Sequence, residues 1–180
     1  GSDITLNLAG MVLATGADGT AIFAQSEGAD GAGNILLSLT ISVRGGSANG
    51  MCINLLGGLN NLVTNNQTLS SVSTWAMRAS SGNDAVVNNG MVAGNIDLGG
   101  GENRFQNAQG ATFLAFDTIS LREPAIAPMS RMIQPMAMSV AAPAVAGGVA
   151  TFTNDGQFRM GLDASDWPID LAAGEEFGNL

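Results

Sequence analysis

A short pattern that returns at a nearly constant spacing constrains this chain most. It consists of an apolar residue, any residue, asparagine, any residue, glycine or glutamine, any residue and a second apolar residue. It occupies residues 63–69 and returns 23 residues later at 86–92. A third copy at 152–158 lies 66 residues further on, or about three times 22, and looser copies run over 6–12 and 105–113. A recurring unit of this length is typical of chains that stack one small structural unit on the next.

A second pattern repeats independently of the first. Residues 53–62 match residues 96–105 at an offset of 43, close to twice 21.5. Two patterns that share one unit length indicate a degenerate repeat of about 19–24 residues.

The segments between the glycine and asparagine residues indicate β-strands. They are four to six residues long and alternate between apolar and polar residues, as at 3–8, 38–43 and 118–121. Asn-Gly, Asp-Gly and Gly-Gly pairs between them supply the backbone freedom that a bend requires. A Greek-key sandwich would show hairpin turns without a shared unit, and the leucine-rich repeat signature is missing.

These observations predict an all-β fold, a right-handed parallel β-helix with degenerate coils of about 19–24 residues. Successive coils would stack about 4.8 Å apart and enclose one continuous apolar core. The chain contains sixteen asparagines. We expect them at the bends, where their amides can hydrogen-bond to one another from coil to coil.

Composition excludes several classes of function. A net charge of −9 over 180 residues disfavours binding to nucleic acid, and the chain has no histidine and no lysine. The single cysteine, Cys52, lacks a histidine to activate it and is expected to be buried and inert. We therefore expect no cofactor and no metal. No apolar stretch approaches the roughly 20 residues that span a membrane.

Residues 90–113 resemble the repeat of autotransporter passenger regions of Gram-negative bacteria. Residues 21–26 and the glycine-rich turn after them are also similar to such passengers. The resemblance covers residues 3–121 and resumes at 151–158. It implies a rod-like β-helix secreted through the outer membrane and displayed at the cell surface, with a membrane barrel in a C-terminal part of a longer parent chain.

One segment, residues 122–150, breaks the repeat. It contains four of the five prolines, which disfavour a long helix or a central strand. It also contains Met129, Met132, Met136 and Met138, which suit either a cover over the flank of the β-helix or an adaptable contact surface for a partner. The predicted organisation is therefore coils at 3–121, an excursion at 122–150, and a further coil with an acidic end at 151–180.

Carboxylates are the remaining candidates for chemistry. Asp97 and Asp117 are 20 residues apart, so stacked coils could bring them together as the pair that a polysaccharide-active enzyme requires. Residues 82–86, with Asp84, match half of a calcium-binding β-roll motif but lack a tandem copy. Asp163, Asp166 and Asp170 could bind a cation. For all of these we expect solvated or structural side chains.

The sequence thus favours a non-enzymatic stalk or adhesin-like scaffold that meets a host or surface ligand or associates with itself. A β-helix lyase or glycosidase that uses Asp or Glu carboxylates is the alternative.

Overall fold

A computed structural model describes residues 1–29, 31–121, 150–161, 169–171 and 175–178. Every regular element in these ranges is a β-strand. The first nine strands are β1 (Ile4–Leu8), β2 (Val12–Leu13), β3 (Ile22–Ser26), β4 (Ile35–Leu39), β5 (Val43–Arg44), β6 (Met51–Gly57), β7 (Asn60–Asn65), β8 (Thr68–Ala79) and β9 (Asn83–Asn88). They are followed by β10 (Met91–Asp97), β11 (Arg104–Asn107), β12 (Thr112–Ala115), β13 (Ile119–Ser120), β14 (Thr151–Asn154), β15 (Gln157–Met160), β16 (Ile169–Leu171) and β17 (Glu175–Gly178).

The strands pair in three parallel columns. The first column is β1-β4-β7-β9-β11-β14. The second is β2-β5, the start of β8, the start of β10, then β12 and β15. The third is β3-β6, the end of β8, the end of β10, then β13. The chain visits the columns in the same order each time, and we call each such passage a round.

The rounds differ in length. In the first column, the residues that face each other are 31, 26, 23 and 19 residues apart in successive rounds. The next step, from β11 to β14, spans 47 residues and contains the segment 122–150. The expected unit of 19–24 residues thus holds only for the middle rounds. The expectation that residues 86–92 and 152–158 lie three units apart was wrong, because Val86, Phe105 and Phe152 align in two steps.

Alternation along each strand builds the core. In β4, for example, Ile35, Leu37 and Leu39 are buried and the residues between them face outwards. Farther along the chain the interior is filled by four phenylalanines, Phe105, Phe113, Phe152 and Phe158, whose ring centroids lie 4.7–6.1 Å apart. Cys52 is fully buried, as expected.

The corners between columns differ from the expected strand boundaries. Residues 38–43 were expected to form one strand, but the chain bends at Ile41 between β4 and β5. Alternation continues through this bend because both columns bury the same side of the chain, so Ile41 remains buried between exposed neighbours. In β10 the corner falls at Gly94, where φ is 131° and the register with β8 shifts.

The parallel order changes after β15. Strand β16 pairs antiparallel with β15, and β17 pairs antiparallel with β14. We expected a further coil in residues 151–180, and its first two strands, β14 and β15, do stack in parallel on the preceding round. Among the described residues, β17 is then the last strand on the first column and β16 the last strand on the second.

Candidate functional site

A column of buried asparagines runs along the inside of the first corner. Asn65 Nδ2 donates to Asn88 Oδ1, Asn88 Nδ2 donates to Asn107 Oδ1, and Asn107 Nδ2 donates to Asn154 Oδ1, each at 2.8 Å. All four residues are fully buried. The predicted asparagine ladder is therefore confirmed, and in the four rounds from Asn65 to Asn154 it uses the asparagine of the sequence pattern.

The ladder also binds the backbone of the corners. Asn65 Nδ2 donates to the carbonyl of Met91 at 3.1 Å, and Asn88 Nδ2 donates in the same way to the carbonyl of Thr112 at 3.0 Å. Asn88 Oδ1 also accepts from the backbone N–H of Gly90 at 3.2 Å. Each amide thus joins its own corner to the next round. At the far end, Asn154 Nδ2 is buried without a hydrogen-bond partner among the described residues.

A second buried column lies at the start of the same strands and contains a carboxyl group. Its members are Asn61, Asp84 and Asn103, which occupy equivalent positions in the pairing of β7, β9 and the residue before β11. Asn61 Nδ2 donates to Asp84 Oδ1 at 2.8 Å, and the backbone N–H of Asp84 donates to Asn103 Oδ1 at 2.9 Å. Asp84 therefore stands where the neighbouring rounds have an amide.

The environment of Asp84 is unusual for a carboxylate. The residue is 1% exposed, and its Oδ2 is buried without a hydrogen-bond partner among the described residues. Burial raises the pKa of Asp84 to about 7, and the hydrogen bond from Asn61 offsets part of this rise. The half-matched calcium motif thus places its aspartate inside the molecule.

On the outside of the third column, Asp97 forms an ion pair. Its Oδ2 lies 3.4 Å from a terminal nitrogen of Arg78, and its Oδ1 accepts from the backbone N–H of Gly99. The Arg78 guanidinium also lies over the partly exposed ring of Trp75, 5.0 Å from its centroid. Asp97 therefore has partners that neutralise and orient it.

Asp117 has a different partner, Asn95. Asn95 Oδ1 accepts from three successive backbone N–H groups, at residues 116–118, and its Nδ2 donates to Asp117 Oδ1. The register places Asp97 opposite Ser120, not opposite Asp117. Stacked coils could have aligned these two aspartates, but the local step between rounds is 23 residues instead of 20, and both side chains make structural contacts.

Several predicted positions lie outside the described residues. These include the candidate contact residues Met129, Met132, Met136 and Met138, together with Asp163 and Asp166. The backbone of Asp170 belongs to β16. The proposed partner surface of residues 122–150 therefore stays a prediction.

The column Asn61–Asp84–Asn103 was not predicted, and neither were the hydrogen bonds from the backbone of residues 116–118 to Asn95. A signal for the column was present, because Asn61 and Asp84 each lie two residues before the aligned Val63 and Val86. Extending the aligned pattern by two residues would have found it. The sequence contains no comparable signal for the hydrogen bonds to Asn95, because they depend on a bend whose position the sequence does not mark.

In the part of the chain that the structure describes, no three His, Cys, Asp or Glu residues are grouped so as to hold a metal ion. These residues also include no helix long and apolar enough to cross a membrane. Comparisons with protein-family models, curated proteins and solved structures found no match for the chain.

Proposed function

We propose that this chain is a right-handed parallel β-helix and a segment of an autotransporter passenger displayed at the surface of a Gram-negative bacterium. Its role is that of a rigid, non-enzymatic stalk or adhesin-like scaffold. The proposal combines the resemblance of residues 90–113 to passenger repeats with the strand order described above.

The observation that carries the proposal is the recurrence of three parallel columns in one fixed order. Every strand from β1 to β13 pairs only with strands of neighbouring rounds. Such stacking advances about 4.8 Å per round, so length grows with the number of rounds while the cross-section stays constant. This architecture therefore favours a rod-shaped protein over one that encloses a catalytic cleft.

The use of polar side chains also favours a scaffold. Asn88 and Asn107 donate hydrogen bonds to backbone carbonyls at the corners. Asp97 forms an ion pair with Arg78, and Asp117 accepts a hydrogen bond from Asn95. A glycosidase needs two carboxyl groups about 5–9.5 Å apart that face a substrate. The two aspartates considered for that role are engaged in separate structural contacts.

The outer face of the first column offers an adhesive or self-associating surface. Leu36 and Leu62 face each other across β4 and β7 and are 39% and 38% exposed, and the nearby Leu59 is 58% exposed. Adjacent exposed leucines of this kind favour contact with another protein surface or a second copy of the chain.

Two experiments test the proposal. Circular dichroism of the whole chain should show a dominant β signal with little helix, and a strong helical signal would contradict the β-helix. Incubation with pectin-like and bacterial glycans should release no product. Product release that is lost in Asp97→Ala but retained in Asp3→Ala, an exposed control aspartate, would instead establish the enzymatic alternative.

Adhesion is tested separately. Beads coated with the chain should bind host cells or other bacteria, or should cluster with one another, more than beads coated with a Leu36→Ser, Leu62→Ser double variant. Equal binding by the two proteins would show that this leucine surface is not the adhesive one.

A further inference from the structure

We propose that Asp84 is held in the folded chain as a neutral carboxylic acid and that its ionisation loosens the rounds on either side of it. The stability of the fold would then depend on pH through this one buried side chain. This inference concerns stability and does not depend on the proposed function.

The position of Asp84 carries the first step of the argument. In the same column, Asn61 Nδ2 donates both to the residue of the next round and to the carbonyl of Gly57, four residues earlier. Asn103 Nδ2 likewise donates to the carbonyl of Gly99, four residues earlier. An amide in this column therefore always acts as a donor on one side and as an acceptor on the other.

A carboxylate cannot reproduce this pattern, whereas a carboxylic acid can. Asp84 Oδ1 already accepts from Asn61, which corresponds to the amide oxygen of its neighbours. By elimination its Oδ2 corresponds to the amide nitrogen, and this oxygen has no hydrogen-bond partner among the described residues. A proton on Oδ2 converts that atom into a donor, as the column requires. Without the proton, a charged group is buried with only one of its two oxygens hydrogen-bonded.

The surrounding charges do not stabilise the ionised form. Strands β7 and β9 contribute no titratable residue apart from Asp84 itself. Glu102, two residues before β11, and Arg104, the first residue of β11, are opposite in charge and exposed to solvent. Burial is accordingly the main cause of the raised pKa of Asp84.

The direction of the pH effect follows from this rise. The pKa of Asp84 is about 7 in the folded chain and is taken as 3.8, its ordinary value, in the unfolded chain. The folded chain therefore binds the proton more tightly, and the contribution of Asp84 to stability is complete below pH 3.8. It is lost as the pH rises towards 7. A shift of this size corresponds to roughly a thousandfold change in the unfolding equilibrium constant.

The test compares the whole chain with Asp84→Asn, which restores the amide of the neighbouring rounds. Urea unfolding is followed by circular dichroism between pH 4 and pH 8. We expect the unfolding constant of the native chain to rise by roughly a thousandfold relative to that of Asp84→Asn over this range. Asp97→Asn, which changes an aspartate on the surface, is the control and should follow the native chain closely.

Infrared spectroscopy provides a second measurement that does not depend on the folding of a variant. The native chain at pH 6 should show the carbonyl band of a protonated carboxylic acid, and this band should disappear as the pH rises through about 7. Absence of this band at pH 6, or parallel pH profiles for the native chain and Asp84→Asn, would overturn the proposal. Calcium that stabilises the native chain at pH 7 but not Asp84→Asn would also overturn it, because Asp84 would then be an ionised ligand.

Discussion

Replacement of Asn88 by alanine tests whether the asparagine ladder stabilises the fold. The side chain of Asn88 takes part in four hydrogen bonds: with Asn65, Asn107, the carbonyl of Thr112 and the N–H of Gly90. The bonds with Asn65 and Asn107 are buried, where water cannot replace a lost partner, and those with Thr112 and Gly90 are partly buried.

The size of the effect follows from the groups that lose a partner. Asn65 Nδ2 keeps two carbonyl acceptors, so its loss is partial. Asn107 Oδ1, the N–H of Gly90 and the carbonyl of Thr112 each lose the hydrogen bond that Asn88 provides. At about 1–3 kcal/mol for each unsatisfied buried group, and with a small cavity in addition, Asn88→Ala should lower the free energy of unfolding by about 3–5 kcal/mol.

The adjacent Asn89 provides a matched control. It is exposed, and its side chain donates to Asn66 Oδ1 at 2.9 Å. Asn89→Ala should therefore change the free energy of unfolding by less than about 0.5 kcal/mol. Equilibrium unfolding in urea, followed by circular dichroism, measures both variants. If the two variants lose equal stability, or if Asn88→Ala loses less than about 1 kcal/mol, the argument that the buried ladder stabilises the corners is refuted.

Three further predictions concern the core, the bends and the thiol. Phe113→Ala should cost about 3–5 kcal/mol in urea unfolding, because a fully buried ring is removed from the phenylalanine cluster; a loss below about 1 kcal/mol would contradict this packing. Gly110→Ala should cost about 1–2 kcal/mol, from a positive φ alone. Gly101→Ala should cost more, because its Cβ would also overlap the Gly82 carbonyl, and equal melting temperatures would argue against that contact. Burial raises the pKa of Cys52 to about 12, so iodoacetamide at pH 8 should label it only through unfolding, and labelling as fast as that of a free thiol would show otherwise.

The sequence predicted the strands and their register better than the corners between them. Val63 and Val86 align in the structure as they do in the sequence, because a parallel pair fixes which residues face each other. The bend at Ile41 was missed because the inside of the chain stays apolar through a corner. Periodicity of two reports which side of the chain is buried, and it does not report where the chain turns.

The lengths of the rounds were unpredictable for a related reason. Extra residues at a corner project outwards and leave the paired strands unchanged, so β1 and β4 stay in register across 31 residues. The same tolerance allows 47 residues between β11 and β14. Any estimate of proximity from an average unit length therefore fails at single residues, as it did for Asp97 and Asp117.

The two buried columns show why one residue in such a chain cannot be interpreted alone. At the position of the asparagine ladder, the first two rounds have Leu8 and Leu39, and the next two have Asn65 and Asn88. Apolar side chains and amide side chains therefore both fit the inside of this corner. The unfavourable case is a buried polar group that lacks a partner. Ionised Asp84 is such a case, because its Oδ2 is then an acceptor with no donor among the described residues, whereas protonated Asp84 is a regular member of its column. The stability of each round therefore depends on the chemistry of the rounds above and below it, which is the property that makes a stacked chain cooperative along its length.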